Sequence, residues 1–362
     1  MKFYSLPIRE VRKETRDAVV VEFDVPEHLQ DEFAFKQGQY LTLRAHIDGN
    51  EERRSYSICS SPLGRKLRVA IKRADDGLFS AWAHMALAPG TQIDVAPPEG
   101  RFFLPLDSSQ RRHYLAFAAG SGITPVLSLI ETALVVESRS RFTLVYGNRS
   151  SSSTMFREEL LRLKDRYLER FALIFITSRE RQDIDLFNGR IDHDRAHALV
   201  ESWIDLADVD AVFLCGPESM MGSVMAVLDE KGFDRSRVVV ERFTTEEQRP
   251  RAPRRSSQTA KTAGLCRATV TIDGTVQTFE IDRETESILD AGLRSGVDLP
   301  YSCKSGICSS CRAQLVGGEV DMDVHFALED YVVRNGVVLM CQSHPVTDTV
   351  ELDVDAIAAQ LI

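Results

Sequence analysis

The spacing of four cysteines constrains this chain more than any other feature. Cys303, Cys308 and Cys311 have C-x-x-x-x-C-x-x-C spacing, and 29 residues separate Cys311 from Cys341. One loop with three thiolates and a fourth thiolate from a distant segment supply the ligand set typical of a plant-type 2Fe-2S cluster. Gly306, inside the loop, allows the backbone to approach the sulfurs closely. The segment is therefore predicted to fold around such a cluster, with these four cysteines as its ligands.

Two other interpretations of the cysteines remain open, a structural zinc site and buried thiols without a metal. Zinc sites favour short ligand spacings in matched pairs, so a first gap of four residues with one distant partner is atypical of zinc. The total of seven cysteines is odd, which favours a metal or cluster site in a reducing compartment over a set of disulfides. The N-terminal residues soon become charged and lack a signal-peptide pattern, and we expect a cytoplasmic protein.

The net charge of −10 lies entirely in the C-terminal part of the chain. Residues 265–362 contain 16 acidic and six basic side chains, whereas the preceding residues are neutral overall. An acidic module disfavours binding to nucleic acid or anionic membranes and favours a basic protein surface as its partner. The apolar runs are much shorter than the ~20 residues of a membrane span. We therefore expect a protein partner, with no nucleic acid and no membrane.

The length of 362 residues predicts two or three domains at about 150 residues each. Short alternating runs with frequent glycines, such as Leu67, Val69 and Ile71, predict an antiparallel β-barrel at the N-terminus. From Tyr114 onward, apolar runs of strand length alternate with helical patterns, which predicts an α/β domain with a parallel sheet. The predicted strands are 115–119, 143–146, 172–177 and 211–214, and the predicted helices include 126–136, 156–167 and 219–228.

A basic, proline-containing stretch without apolar periodicity separates these two domains from the cysteine-rich module. The module opens with a strand, the hairpin signal Asp273-Gly274 and a second strand, followed by a helix around residues 287–294. This order predicts a small α+β domain. The predicted boundaries are 1–106 for the barrel, 107–245 for the α/β domain, 246–264 for the linker and 265–362 for the α+β domain.

Two motifs in the barrel region have the chemistry of a flavin site. In the first, Arg54-Ser55-Tyr56-Ser57, the Tyr56 ring suits stacking on an isoalloxazine, the Ser57 hydroxyl suits a hydrogen bond near N5, and Arg54 suits a phosphate. In the second, Gly77 opens an apparent helix that includes Ser80, and the N–H groups of a helix start suit a pyrophosphate. Taken alone, the first motif is more often a surface cation beside a half-buried aromatic residue. The second motif alone can be an ordinary hairpin turn that leads to a capped helix.

Three turns in the α/β region follow predicted parallel strands, at the edge where such sheets bind ligands. Gly120-Ser121-Gly122-Ile123-Thr124-Pro125 departs from the dinucleotide fingerprint by placing Pro125 at the third glycine, which is acceptable at the first helical position. The other two turns are 146–150, which contains Arg149, and Cys215-Gly216-Pro217-Glu218. Each turn alone is typical of strand-ending turn chemistry. Three of them in one sheet, after a candidate flavin barrel, favour a nucleotide site.

The order of these motifs resembles the ferredoxin-NADP reductase superfamily fused to a C-terminal plant-type ferredoxin, across essentially the whole chain. The resemblance implies that the C-terminal module is a β-grasp ferredoxin. It implies an FAD held by Arg54, Ser55, Tyr56, Ser57, Gly77 and Ser80. It also implies a nicotinamide nucleotide that meets Gly120, Gly122, Thr124, Pro125, Arg149, Cys215, Gly216 and Pro217. Ser178 and Arg179 match the family's pair for an adenosine 2′-phosphate, which points to NADPH.

The function that follows from the resemblance is electron transfer. Hydride passes from NADPH to FAD, with Ser57 and Cys215 shaping the contact, and single electrons pass through the cluster to an oxygenase component. The first alternative concerns only the partner, which could be a Rieske-type, alkane or steroid hydroxylase. The other is a non-catalytic zinc-binding protein.

Overall fold

A computed structural model describes residues 1–75, 77–243 and 264–358 of the chain. These residues form two compact units. The first unit comprises Lys2–Glu52 and Tyr56–Phe243, and the second is formed mainly by residues 264–358. Apart from Gly264, the predicted linker 246–264 lies outside the described residues.

The N-terminal part of the first unit is a six-stranded antiparallel sheet with strand order β4-β3-β6-β1-β2-β5. An isolated bridge joins Ile58, just after β4, to Val69 on β5 and so links the two outer strands of that order. Alternate side chains point inward and form one apolar core, as the period of two in the sequence predicts. The elements are β1 (Tyr4–Thr15), β2 (Ala18–Phe23), β3 (Tyr40–Ile47), β4 (Asn50–Ser57), β5 (Leu67–Lys72), α1 (Leu78–Ala86) and β6 (Gln92–Val95).

The remainder of the first unit is a five-stranded parallel sheet with strand order β11-β10-β7-β8-β9. Apolar residues of the central strands point to both faces, because helices cover the sheet on both sides. The strands are β7 (His113–Ala119), β8 (Arg141–Asn148), β9 (Phe171–Thr177), β10 (Ala211–Cys215) and β11 (Val238–Glu241). The helices are α2 (Ile123–Val136), α3 (Arg157–Arg166), α4 (His193–Ser202) and α5 (Glu218–Glu230).

Helix α2 fastens the parallel sheet to the barrel through side-chain hydrogen bonds. The Ser128 hydroxyl donates to the Ser60 carbonyl at 2.7 Å, and the Glu131 carboxylate accepts the Ser61 N–H at 3.2 Å. Thr132 Oγ1 donates to Ser61 Oγ at 3.0 Å. Ser60 and Ser61 follow Ser57 by only a few residues, so the segment after β4 is held directly against α2.

The second unit is an α+β domain with a five-stranded mixed sheet of order β13-β12-β18-β14-β16. Asp273 and Gly274 both have positive φ (48° and 69°) and form the hairpin turn that the sequence predicts. The elements are β12 (Leu265–Ile272), β13 (Thr275–Asp282), α6 (Ile288–Arg294), β14 (Arg312–Gly317), β15 (Val320–Met322), α7 (Asp330–Arg334), β16 (Val337–Leu339), β17 (Ser343–Pro345), β18 (Thr349–Asp353) and α8 (Asp355–Ala358).

The structure confirms the predicted fold class, with an antiparallel barrel, a parallel α/β sheet and an α+β domain in this order. One local prediction is wrong. Pro125 is the third residue of α2, not the first, because a 3₁₀ turn over Gly120–Gly122 leads into a helix that already begins at Ile123. Proline is tolerated there because the first four N–H groups of a helix have no intrahelical acceptor.

Candidate functional site

The last residues of β4 form the predicted flavin side of the site. Ser57 is 4% exposed, and its hydroxyl has no hydrogen-bond partner among the described residues. The half-buried Tyr56 ring lies 5.9 Å from the Phe79 ring on α1. Arg54 and Ser55 precede them on the same strand, and Arg54 Nη1 donates to the Arg53 carbonyl at 2.7 Å. A buried hydroxyl without a partner costs free energy, so a ligand that supplies the missing partner fits this position.

The start of α1 is shaped by contacts between Gly77 and Ser80. Ser80 Oγ donates to the Gly77 carbonyl and accepts the Ala74 N–H, both at 3.1 Å. A Cβ at Gly77 would lie 2.3 Å from this oxygen, so the turn requires glycine. Ser80 thus closes the turn instead of capping the helix, and within the described residues no side chain caps α1. Its first N–H groups therefore suit a phosphate oxygen, as the sequence predicts.

The turns after β7 and β10 pack against each other. A Cβ at Gly122 would lie 2.1 Å from the Cys215 carbonyl oxygen, and one at Gly216 would lie 3.1 Å from the Ala119 nitrogen. Gly120 has φ +55°, and its carbonyl accepts a hydrogen bond from the Tyr146 hydroxyl at 2.9 Å. Such close backbone approach leaves no room for side chains, which is what a nucleotide phosphate needs at this edge of a sheet.

Thr124 and Pro217 complete these two turns. The buried Thr124 hydroxyl donates to the Ser121 carbonyl at 2.9 Å and so fixes the turn where α2 begins. Pro217 is the N-terminal cap residue of α5, and its carbonyl accepts the N–H groups of Met220 and Met221. The predicted nucleotide residues are therefore brought together at the carboxyl ends of β7 and β10, which are adjacent strands.

Cys215 ends β10 and is paired in register with Glu241 on β11. Burial, with a smaller contribution from the nearby Glu241 carboxylate, raises the pKa of Cys215 well above its usual range. The thiol is therefore protonated at neutral pH and is a donor, not a thiolate nucleophile. Desolvation of the half-buried Glu241 carboxyl also raises its pKa to about 8. The sequence pattern assigns no role to the Glu241 carboxyl, because its environment depends on the neighbouring strand.

Two loops at the ends of β8 and β9 bring Arg149, predicted to meet the nucleotide, next to Ser178 and Arg179, the predicted 2′-phosphate pair. The Arg179 N–H donates to the Arg149 carbonyl at 2.8 Å, and the Ser178 N–H donates to the Asn148 carbonyl at 3.0 Å. Arg149, Ser178 and Arg179 are all exposed. The pairing of the two backbones places both arginines on one rim of the sheet, where their side chains suit an anionic group.

The four predicted cluster ligands meet as two pairs of thiols. The Cys308 thiol hydrogen-bonds Cys303 and is the main reason that the pKa of Cys303 falls to about 5. A contact with Cys341 is the largest of the influences that raise the pKa of Cys311. The arrangement fits the two irons of a 2Fe-2S cluster, each with two sulfur ligands from the protein. Among the described residues, no three or more potential ligands are grouped around a single position.

Backbone geometry in the cluster loop also suits a bound group. Gly306 has φ +77°, and a Cβ there would lie 2.8 Å from Val324 Cγ2. The Ser305 N–H donates to Cys303 Sγ at 3.3 Å. Such N–H donors stabilise the negative charge on cluster sulfurs. When bound, the flavin accepts hydride and the cluster carries single electrons.

Comparison with protein families places three domains along the chain. Residues 5–104 match an oxidoreductase FAD-binding domain, residues 117–226 an oxidoreductase NAD-binding domain, and residues 270–346 a 2Fe-2S iron-sulfur cluster binding domain. All four predicted ligand cysteines lie inside the last match. Together with the geometry, these matches define the chain as an oxidoreductase with FAD, NAD and 2Fe-2S domains.

Full-length relatives define the family more closely. The chain is 42% identical over 354 residues to a component of the 1,2-phenylacetyl-CoA epoxidase of Escherichia coli, covering 98% of each protein. It is 33% identical to the ferredoxin reductase component of 3-ketosteroid-9-alpha-monooxygenase of Rhodococcus rhodochrous, covering 96% of each. The chain belongs to this family of oxygenase reductase components. Sequence runs such as residues 14–19, 118–125, 241–243 and 286–291 predict a resemblance to a subunit of this epoxidase, and the identity over nearly the whole chain confirms it.

Solved structures agree with this assignment. Phthalate dioxygenase reductase, described as a modular structure for electron transfer from pyridine nucleotides to [2Fe-2S], aligns with a TM-score of 0.60 and 25% identity. The alignment covers 97% of this chain and 98% of that one. Within the described residues, no helix has the length and apolar character needed to cross a membrane.

Proposed function

We propose that this chain is the reductase component of a phenylacetyl-CoA ring epoxidase and carries electrons from NADPH through FAD and a 2Fe-2S cluster to the oxygenase component. The observation that carries this proposal is the 42% identity that extends over 98% of both chains and so includes all three domains. The cysteine usage supports a cytoplasmic location, since a thiolate-bound cluster suits a reducing compartment.

NADPH is the preferred donor because two arginines border the outer end of the nucleotide edge. The hydrogen bond between the Arg179 N–H and the Arg149 carbonyl keeps their loops adjacent. A dianionic 2′-phosphate forms ion pairs with these arginines, whereas the uncharged 2′-hydroxyl of NADH cannot.

The acidic residue next in sequence does not oppose this preference. Glu180 accepts hydrogen bonds from the Ser151 N–H at 2.6 Å and from the Ser151 hydroxyl at 2.8 Å. These bonds from Ser151 lower the pKa of Glu180 and hold its carboxylate against the β8 loop. The acid therefore ties the two arginine loops together, while Ser178 and Arg179 remain available to the phosphate.

The chain's own residues have distinct roles in the transfer. Ser57 donates a hydrogen bond to the flavin ring edge, while Tyr56 stacks on the ring and Arg54 and Ser55 hold its phosphate end. The protonated Cys215 thiol and the Gly122 turn shape the place where the nicotinamide lies. Because α2 binds the segment after Ser57 directly, these two sides of the site are held at a fixed separation. Cys303, Cys308, Cys311 and Cys341 then hold the cluster.

Reconstitution with two oxygenases tests the proposed partner. The purified chain is combined with the oxygenase component of a phenylacetyl-CoA epoxidase or, separately, with that of a 3-ketosteroid-9-alpha-monooxygenase. We expect NADPH oxidation coupled to epoxide formation from phenylacetyl-CoA at least about tenfold faster than steroid hydroxylation. The 33% identity makes the steroid oxygenase the second candidate, and the reverse ratio would establish it instead. Coupling to neither would leave a reductase with another partner.

A further inference from the structure

A buried glutamine lies directly beside the cluster ligands. Gln342 follows Cys341 in sequence and is 1% exposed. Its side-chain nitrogen, Nε2, lies 3.4 Å from Cys341 Sγ, 2.9 Å from the Cys341 carbonyl oxygen and 3.3 Å from the Lys304 carbonyl oxygen. No other part of the site described above accounts for this side chain.

The surroundings determine which end of the Gln342 amide faces the sulfur. Two of its three neighbours are carbonyl oxygens, which only accept hydrogen bonds, so the group that faces them must be the donating nitrogen. The other end, Oε1, is buried and has no hydrogen-bond partner among the described residues. A buried acceptor without a partner costs free energy that an apolar side chain of similar length would avoid. Packing alone therefore does not explain an amide at this position.

The same side chain joins the two segments that supply the cluster ligands. Lys304 lies in the loop between Cys303 and Cys308, and its carbonyl receives the Gln342 hydrogen bond. A Cβ at Gly306 would lie 3.2 Å from Gln342 Cγ, so the glutamine stem packs directly on this loop. The hydrogen bonds and the packing hold the three-cysteine loop against the Cys341 segment.

We propose that Gln342 is a positioning residue that raises the reduction potential of the cluster by donating an N–H hydrogen bond to the Cys341 sulfur. The inference rests on the proposed function in one respect, namely that these cysteines hold a 2Fe-2S cluster. Reduction adds negative charge to the cluster and its sulfurs, and a nearby N–H dipole stabilises that charge. Gln342 therefore makes the cluster a better acceptor of electrons from the flavin.

The test compares the holoenzyme with variants at two adjacent positions. Gln342→Met keeps the length of the side chain and removes its N–H donor. Gln342→Glu keeps the shape of the side chain and replaces the amide by a carboxyl group. Ser343→Ala is the matched control, because Ser343 is equally buried but its hydroxyl donates to the Leu339 carbonyl and not to a sulfur. The measurement is an anaerobic redox titration of the cluster, followed by its visible absorbance and its electron paramagnetic resonance signal.

We expect both Gln342 variants to make the midpoint potential more negative. The expected shift is about tenfold in the one-electron equilibrium, which is about 59 mV for a one-electron couple. Ser343→Ala leaves the potential unchanged. An unchanged potential in Gln342→Met, which has no donor at this position, with full iron and sulfide would overturn the inference. Wild-type protein without iron and sulfide would instead overturn the proposed function.

A second measurement needs no variant to fold. In wild-type holoenzyme with ¹⁵N-labelled glutamine side chains, pulsed electron paramagnetic resonance of the reduced cluster detects nitrogen nuclei close to it. We expect a coupling from a side-chain amide nitrogen, since Nε2 lies next to a ligand sulfur. The absence of any such coupling would contradict the hydrogen bond and the inference with it.

Discussion

The backbone of Gly122 lies against the carbonyl group of Cys215, so closely that a Cβ on Gly122 would be 2.1 Å from the Cys215 oxygen and 2.6 Å from its carbon. The contact joins the turn after β7 to the turn after β10. Both atoms belong to the backbone, which cannot move away as a flexible side chain does. The position of the turn after β7 therefore depends on the turn after β10.

We expect Gly122→Ala to slow flavin reduction by NADPH about 100-fold, because displacement of a reacting group by about 1 Å has costs of this order. Stopped-flow absorbance of the flavin measures this rate. Gly222, on α5, is the matched control, since a Cβ there meets nothing within 4 Å. Equal rates in Gly122→Ala and wild type would show that the two turns do not position the nicotinamide.

The buried Ser57 hydroxyl gives a prediction with opposite effects on stability and activity. Ser57→Ala removes a polar group that has no partner among the described residues, so the flavin-free protein keeps or gains stability. The rate of flavin reduction should fall about tenfold, because the loss of one hydrogen bond corresponds to a free-energy change of about that size. Thermal unfolding and stopped-flow absorbance measure the two effects.

Ser140 provides the control for Ser57. Its hydroxyl donates to the fully buried Glu137 carboxylate at 2.7 Å, so Ser140→Ala should lower stability and leave flavin reduction unchanged. A loss of stability in flavin-free Ser57→Ala would mean that the hydroxyl already has a partner in the protein and is not reserved for the flavin.

The raised pKa of Glu241 predicts how stability changes with pH. The unfolded chain releases this proton near pH 4.5, whereas the folded chain keeps it up to about pH 8. Between these values the folded state binds more protons, so the contribution of Glu241 to the free energy of unfolding falls as pH rises. We expect Glu241→Gln to remove this dependence. The unfolding temperature of the variant, relative to that of wild type, should therefore rise from pH 5 to pH 8. The same change at the exposed Glu10 is the control, and parallel pH profiles for Glu241→Gln and wild type would refute the assignment.

The arginine rim predicts a selective loss of NADPH use. Arg179→Ala should lower kcat/KM for NADPH about tenfold, because it removes a charge-assisted contact to the 2′-phosphate, and should leave kcat/KM for NADH unchanged. Arg166, which is exposed on α3, is the control arginine. Steady-state kinetics with both nucleotides measure the ratio. An equal loss with both nucleotides would assign Arg179 to a part of the nucleotide that they share.

Much of the fold could be predicted because its signals are local. The Asp273-Gly274 turn, with positive φ at both residues, needs only neighbouring residues to specify it. The predicted strand 211–214 becomes Ala211–Cys215, and the predicted helix 156–167 becomes Arg157–Arg166. Pro125 was misplaced because the 3₁₀ turn before α2 depends on packing of Gly122 against Cys215, which are distant in sequence.

The parts of the site that the sequence could not supply involve contacts between distant segments. In the sequence, Gln342 is a single polar residue beside a cysteine. Its place next to the cluster ligands is recognised only from its contacts with Lys304 and Gly306 in the folded chain. In the sequence, Glu241 looks like an ordinary acidic residue at the end of a strand. Its pKa is raised by desolvation where β11 pairs with β10. Residues within a motif, such as Ser57 and Thr124, could be proposed because their spacing carries the signal.

The predicted ligand Cys311 separates the two electron-transfer steps. Cys311→Ser should leave flavin reduction by NADPH intact, since the barrel and the parallel sheet belong to the first unit and Cys311 to the second. Transfer to the oxygenase should be abolished, because the cluster loses one of its four ligands. Stopped-flow absorbance measures flavin reduction, and reduction of the oxygenase measures the second step. Electron transfer to the oxygenase at the wild-type rate would contradict the assignment of Cys311 as a ligand.

The most direct test of the whole account is the anaerobic addition of one equivalent of NADPH to the purified wild-type protein. Visible absorbance follows the flavin, and electron paramagnetic resonance follows the cluster. We expect the flavin absorbance to bleach and the signal of a reduced 2Fe-2S cluster to appear, with the same change far slower when NADH replaces NADPH. Flavin bleaching without a cluster signal, or a colourless protein that contains zinc, would contradict electron transfer from NADPH through both groups.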